Sequence, residues 1–273
     1  MFIKVAVQTI SPVTLSFGRV ALAAIVLTIY SFARGDTLPR DRHTWIAACV
    51  IALIGNALPF TLIHWGERFV DSSLTAILMG TMPVAVALMA HFSTDSDPLT
   101  VPRATGITLG FFGLVVLIGW EALGGLGAAT LAQVAIVAAA LSYSVTTIFV
   151  RRVTHLTGRP MAMATLICGA AMLLPMALVF EQPLSLTPDW ESLGSLLMLG
   201  IFSTGIATLL YFRLVHTLGA TTFSQVNYLI PILGVGWGAL LLEEQPGLQA
   251  AVALALILTG VAFVNQPAKR VKK

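Results

Sequence analysis

From position 11 to position 265 the chain is a succession of apolar stretches about 20 residues long, joined by connections too short to hold a domain of their own. At 1.5 Å per residue, that is the length a helix needs to cross a hydrocarbon core about 30 Å thick. Inside a bilayer every backbone N–H and C=O must be bonded within the protein, so only helices and closed barrels span it. A barrel strand would alternate apolar and polar residues, and these stretches do not. Nine stretches qualify, at 11–33, 44–65, 72–92, 102–120, 130–150, 159–180, 190–211, 221–242 and 248–265. Charged residues make up only 10% of the chain and the mean hydropathy is +0.91, whereas a soluble domain carries about 25% charge. The fold class expected is an all-α polytopic membrane protein.

Lys and Arg set the orientation, because they are retained on the cytoplasmic side. Arg34, Arg40, Arg42, Arg103, Arg151, Arg152, Arg159, Arg213, Lys269, Arg270, Lys272 and Lys273 all fall on one side of the alternating connections, and the opposite side holds only Arg68. This distribution predicts a cytoplasmic C-terminus in a multi-pass protein. It also disposes of a nucleic-acid partner, since the net charge of +3 is scattered between spans and forms no basic patch. Cys49 and Cys168 are single residues inside apolar runs, which suits packing and not a disulfide or a metal site.

Sliding the chain on itself by 148 positions puts Pro12 on Pro160, Pro83 on Pro231 and Lys4 on Arg152. "SPVTLSFGRVALAAIVL" then lies on "RPMAMATLICGAAMLLP", and "GITLGFFGLVVLIG" falls close to "AVALALILTGVAFV". Each half thus carries the same series of helices. The second half has five, and its first begins near Thr130; the equivalent helix of the first half would begin upstream of Met1, with "MFIKVAVQ" as its last two turns. An odd number per half forces opposite orientations. The expectation is a ten-helix inverted five-plus-five repeat, of which this chain holds nine full spans and a remnant. Its parts are residues 1–122, residues 128–267 and a basic cytoplasmic tail, 268–273. Inverted repeats of this kind recur in secondary transporters, with the substrate site near the midplane.

Three stretches resemble the EamA-type exporters of the drug/metabolite transporter superfamily: "IKVAVQTISPVTLSFGRVALAA", "VRRVTHL" and "TLLYFRLVHTLGATTFSQVNYLIPILGVGWGALLLEEQPGLQAAVALALILTGVAFVN". The last includes Pro231 and the acidic turn at Glu243 and Glu244. One departure is local: "FSTDSDPLTV" stands where the family usually has a Leu-Gly-Glu-Arg turn. The resemblance implies a carrier of the bacterial inner (plasma) membrane that exports amino acids or other small metabolites. A multidrug exporter of the same fold is the alternative, and an intramembrane enzyme a distant one.

All 12 acidic residues lie in connections or at span ends. A carboxylate in mid-membrane is the common proton relay and the common counter-charge for lipophilic cations, so its absence counts against a cation extruder. Glu67 is the nearest acid and reads as a solvated residue at a helix end. Arg19 is the one charge well inside a span. It is either a docking point for a substrate carboxylate or a structural residue satisfied by carbonyls or by Glu67. Pro83 and Pro231 each sit about ten residues into a span, where the ring removes a backbone bond and frees the carbonyl of Met79 or Asn227. Gln225, Asn227 and Tyr228 precede Pro231 and suggest a polar cavity there. Asn56, Thr81, Tyr143 and Tyr211 complete the candidate substrate-binding set. His64 reads as an interface residue near the outer surface, and Trp65, Trp120 and Trp190 as an aromatic belt. "GVGWGA" imitates a dinucleotide fingerprint but lies in an apolar helix, where Gly234 and Gly238 form a packing face, as do Gly106 and Gly110. No cofactor, metal or ATP site is expected. The partners are the lipid bilayer and a small-molecule substrate; a coupling proton and a homodimer are both compatible with this reading.

Overall fold

The computed structural model describes residues 2–93, 99–118, 129–153, 158–229 and 248–265, and every regular element among them is a helix. In chain order these are α1 (Phe2–Ala6), α2 (Pro12–Ala33), α3 (Arg42–Ala52), α4 (Leu58–Gly66), α5 (Ser72–Met79), α6 (Met82–Ser93), α7 (Val101–Ile118), α8 (Thr130–Arg152), α9 (Arg159–Phe180), α10 (Trp190–Gly200), α11 (Ala207–Leu218), α12 (Ala220–Ser224) and α13 (Leu248–Val264). A π turn at Leu53–Ala57 joins α3 to α4, and a second at Ile201–Ile206 joins α10 to α11. Among the described residues, six helices are long and apolar enough to cross a membrane: Pro12–Ala33, Arg42–Gly66, Leu74–Ser93, Thr130–Arg152, Arg159–Phe180 and Trp190–Leu218. Val101–Leu117 and Leu248–Val264 are apolar but shorter. Of the expected span 221–242 only the part up to residue 229 is described. Trp120, Pro231, Gly234, Gly238, Glu243, Glu244 and the basic tail lie outside the described residues.

Local chemistry sets the helix boundaries. Pro12 and Pro160 occupy first-turn positions of α2 and α9, where a missing N–H costs nothing. Asp41 and Asp189 cap α3 and α10, each carboxylate accepting from the backbone N–H three residues on (Thr44 and Ser192, both at 2.7 Å). Those two caps are 148 residues apart, and so are Leu53 and Ile201, the first residues of the π turns.

Two antiparallel pairs organise the packing. In the first, α2 lies along α9 and is tied to it at both ends. The Glu181 carboxylate accepts from the backbone N–H of Val13 (3.0 Å) and Thr14 (2.7 Å) and from the Thr14 hydroxyl (3.0 Å), closing the open N-terminus of α2. At the other end Asp36 pairs with Arg159 at 2.6 Å. In the second pair α7 meets α13 backbone to backbone: a Cβ on Gly260 would stand 2.5 Å from the Gly106 carbonyl oxygen and 2.8 Å from the Gly110 nitrogen. Glycine permits that approach, and nothing larger does. Between α2, α3, α9 and α11 the buried core is rich in alanine, with Val20, Leu166, Leu173 and Phe212 filling the larger spaces. Cys49 and Cys168 face one another here as free thiols, their sulfurs 2.9 Å apart.

Candidate functional site

A cavity of about 320 Å³ opens where the two π turns face each other. Gly55 and Asn56 of the first turn and Ser203 and Thr204 of the second line it. Phe60 (α4), Tyr143, Thr146 and Thr147 (α8), Thr165 (α9) and Tyr211 (α11) also contribute, as does Asn227 just beyond α12. A π turn carries one extra residue and takes carbonyls out of the α-helical ladder, so they need other donors. Hydroxyls supply them: Ser142 donates to the Ile54 carbonyl at 2.5 Å, and Thr204 to the Leu199 carbonyl at 2.8 Å.

Arg19 stands one side chain behind the cavity wall and is 6% exposed. Its Nε donates to Thr204 Oγ1 (3.0 Å) and its Nη1 meets His64 Nε2 at 3.1 Å. The guanidinium carbon lies 3.9 Å from the centroid of the Phe60 ring, a stacking that suits a planar, weakly hydrated cation. A guanidinium can only donate, so His64 Nε2 accepts and the imidazole proton sits on Nδ1. Nδ1 then donates to Ser16 Oγ (2.8 Å), whose own proton goes to the Pro12 carbonyl (2.7 Å). The sequence reading is corrected at three points. His64 is fully buried in this network instead of lying at the outer interface, because α2 packs over the end of α4. Glu67 is 5% exposed instead of solvated, and burial pushes its carboxyl above the usual carboxylate range against the pull of Ser72, Lys4 and Arg19. Among the described residues Arg19 is held by a hydroxyl, an imidazole and a ring, and by neither carbonyls nor Glu67.

Asn56, Tyr143, Tyr211 and Asn227 are brought together around the cavity. Tyr211 donates to Thr147 Oγ1 at 3.4 Å, and Asn227 Nδ2 to the Ser224 carbonyl at 3.1 Å. The other candidates lie elsewhere. Thr81 donates to the Leu78 carbonyl at the turn between α5 and α6, two residues before Pro83 in the first turn of α6. Gln225 is buried, its amide donating to the Thr221 carbonyl. Tyr228 is fully buried, its hydroxyl shared between the Gly80 and Ile107 carbonyls, 3.3 Å from each. Sequence reasoning missed Phe60, Thr146, Thr147, Thr165, Ser203 and Thr204. One signal was available: at the offset of 148, Gly55-Asn56 falls on Ser203-Thr204, a small polar pair at the same place in each half. Among the described residues no three His, Cys, Asp or Glu side chains converge as metal ligands would.

Residues 1–119 and 130–266 match the EamA-like transporter family. The chain belongs to that family. This EamA-like transporter is 28% identical over 263 residues to a protein named uncharacterized transporter YoaV, of Bacillus subtilis (strain 168), covering 96% of this chain and 89% of that one. Protein PagO of Salmonella typhimurium is 28% identical over 242 residues, covering 85% and 76%. A crystal structure of a protein 20% identical in sequence superposes with a TM-score of 0.79 over 97% of this chain and 93% of that one, a likeness of fold. Family and apolar helices together make the EamA-like transporter a multi-pass membrane protein in contact with the lipid bilayer.

Proposed function

We propose that this EamA-like transporter is a secondary carrier that exports small polar metabolites, such as amino acids, by alternating access. Its halves act as inverted repeats of the five-plus-five kind, and the substrate rides in the cavity between the two π turns. The observation that carries this reading is the position of those turns. They begin 148 residues apart, one in each half, and both border the same 320 Å³ cavity. A rocking of one half against the other therefore exposes that cavity to one side and then the other. Its volume falls in the range of small-molecule sites, and its lining of aromatic rings with a few amides and hydroxyls suits a small solute. The basic residues on one side of the connections support a bacterial plasma membrane location with the C-terminus cytoplasmic. The test is counterflow in proteoliposomes across the amino acids. Uptake of a labelled, chemically unaltered solute that depends on the same solute inside supports the carrier; no counterflow with any of them rejects it.

A further inference from the structure

Arg19 joins two walls of the cavity, α4 and the second π turn, that share no hydrogen bond of their own among the described residues. From its place on α2 it donates through Nε to Thr204 in that turn and through Nη1 to His64 on α4, with the guanidinium over the Phe60 ring. Thr204 and Phe60 line the cavity; Arg19 stands behind them. Thr204 passes its own proton to the Leu199 carbonyl, which fixes the hydroxyl against the turn. Past His64 the chain of donors continues through Ser16 to the Pro12 carbonyl at the start of α2. Thr204, Arg19, His64 and Ser16 are all buried, so this end of the cavity is backed by a dry string of paired side chains.

The string stands on one side of the cavity. Beyond it α2 begins and α4 ends. The lining runs the other way as well: Thr147 lies toward the end of α8 and Thr165 toward the start of α9, near the face marked by the Asp36–Arg159 pair. At the offset of 148 the mate of Arg19 is Ile167, which cannot donate from its side chain, so the other half builds no copy of the string. Arg19 is also held differently by its two neighbours. The second π turn meets α2 at backbone distance: a Cβ on Gly200, the residue before the turn, would stand 3.2 Å from the Arg19 carbonyl oxygen, and one on Gly205 3.7 Å from the Ala23 Cα. At Arg19, α4 meets α2 through the side chains of Phe60 and His64.

We infer that Arg19 is a positioning residue that latches the cavity shut toward the face where α2 begins: it never touches the solute, acts through Thr204 and Phe60, and lets go of α4 when the cavity opens on that side. This rests on the carrier reading above and names the contact that must break in one half of its cycle. Arginine suits the task better than any other cation. Its planar fork donates along two directions while its face lies on a ring, whereas a lysine ammonium keeps the charge without that geometry.

The experiment is one-sided accessibility in the full chain. Ser203→Cys, in a background of Cys49→Ser and Cys168→Ala, gives a single thiol on the cavity wall, and a membrane-impermeant maleimide is applied to each face of oriented vesicles in turn. The readout is the rate from the face where α2 begins divided by the rate from the opposite face, a ratio that cancels any change in the thiol's own reactivity. Loss of a hydrogen bond to a charged group shifts a two-state balance by about tenfold, so Arg19→Gln should raise the ratio about tenfold, with Arg19→Lys in between. Thr204→Val removes the hydroxyl that Arg19 holds, at nearly constant volume, and should raise the ratio too; the double variant should go no further than the stronger single change. Should Arg19→Gln fail to fold, Thr204→Val decides alone. A ratio that stays put or falls in these variants overturns the latch and leaves the carrier standing, and so do effects that simply add in the double variant. The carrier reading fails separately, on a blank amino-acid counterflow screen.

Discussion

Gly260→Ala tests the α7–α13 contact with a single methyl group. The new Cβ would lie 2.5 Å from the Gly106 carbonyl oxygen, 2.8 Å from the Gly110 nitrogen and 3.2 Å from the Gly110 Cα. All three are backbone atoms, so no side chain can swing away. Ordinary contact begins at 3.4 Å, and α13 must therefore retreat from α7 by about 0.9 Å, the difference between 3.4 and 2.5. That separation loosens the packing along the pair, including Gly113 against Ile257 and Leu256. Overpacking of this kind costs about 1–3 kcal/mol, and a site hemmed by backbone belongs at the upper end. The control is Gly194→Ala in α10, where a Cβ meets nothing within 4 Å and the gain in helix propensity makes the change neutral or up to about 1 kcal/mol stabilising. Unfolding of both variants in mixed micelles by a denaturing detergent gives the comparison. If Gly260→Ala unfolds at the same detergent fraction as Gly194→Ala, the backbone-to-backbone contact does not exist as described.

Three further outcomes follow from the polar contacts. Glu181→Ala removes the acceptor for three donors at the start of α2 and should destabilise the α2–α9 pair by about 1–2 kcal/mol in the same unfolding assay; an unchanged midpoint would remove the tie. Burial raises the Glu67 carboxyl, so the folded chain binds that proton at a higher pH than the unfolded chain does. The charged form therefore opposes folding above the raised value, and the penalty fades as pH falls through it. Glu67→Gln should raise the Tm at neutral pH, with the gain shrinking toward the ordinary carboxylate range; a gain independent of pH would refute the assignment. Tyr228→Phe leaves the Gly80 and Ile107 carbonyls short of a buried donor and should lower stability by about 1–2 kcal/mol with little effect on solute affinity. A large loss of affinity at full stability would instead put Tyr228 in the site.

The membrane-spanning helices were legible because lipid leaves a chain so few options. Twenty apolar residues can only be helix, and a polar group among them must turn inward. That reasoning reaches Asn56, Tyr143, Tyr211 and Asn227, all of which border the cavity. It cannot separate them from Gln225 and Tyr228, which also turn inward but donate to backbone carbonyls of the packed helices. Inward toward a cavity and inward toward another helix look the same in one sequence. His64 and Glu67 were misplaced for a related reason. Counting residues along a span gives depth, whereas their burial comes from α2 and the segment around Lys4 packing over the end of α4. The π turns have no local code; only the correspondence of Gly55-Asn56 with Ser203-Thr204 marks them.

The claim beneath the rest is that one cavity serves both sides of the membrane in turn. Ser203→Cys, introduced with Cys49→Ser and Cys168→Ala, places a single thiol on the cavity wall. Labelling by a membrane-impermeant maleimide, applied to either side of oriented vesicles, should modify that thiol from both faces, slow when a transported solute is present, and stop counterflow. Modification from one face only, with or without solute, would contradict alternating access through this cavity.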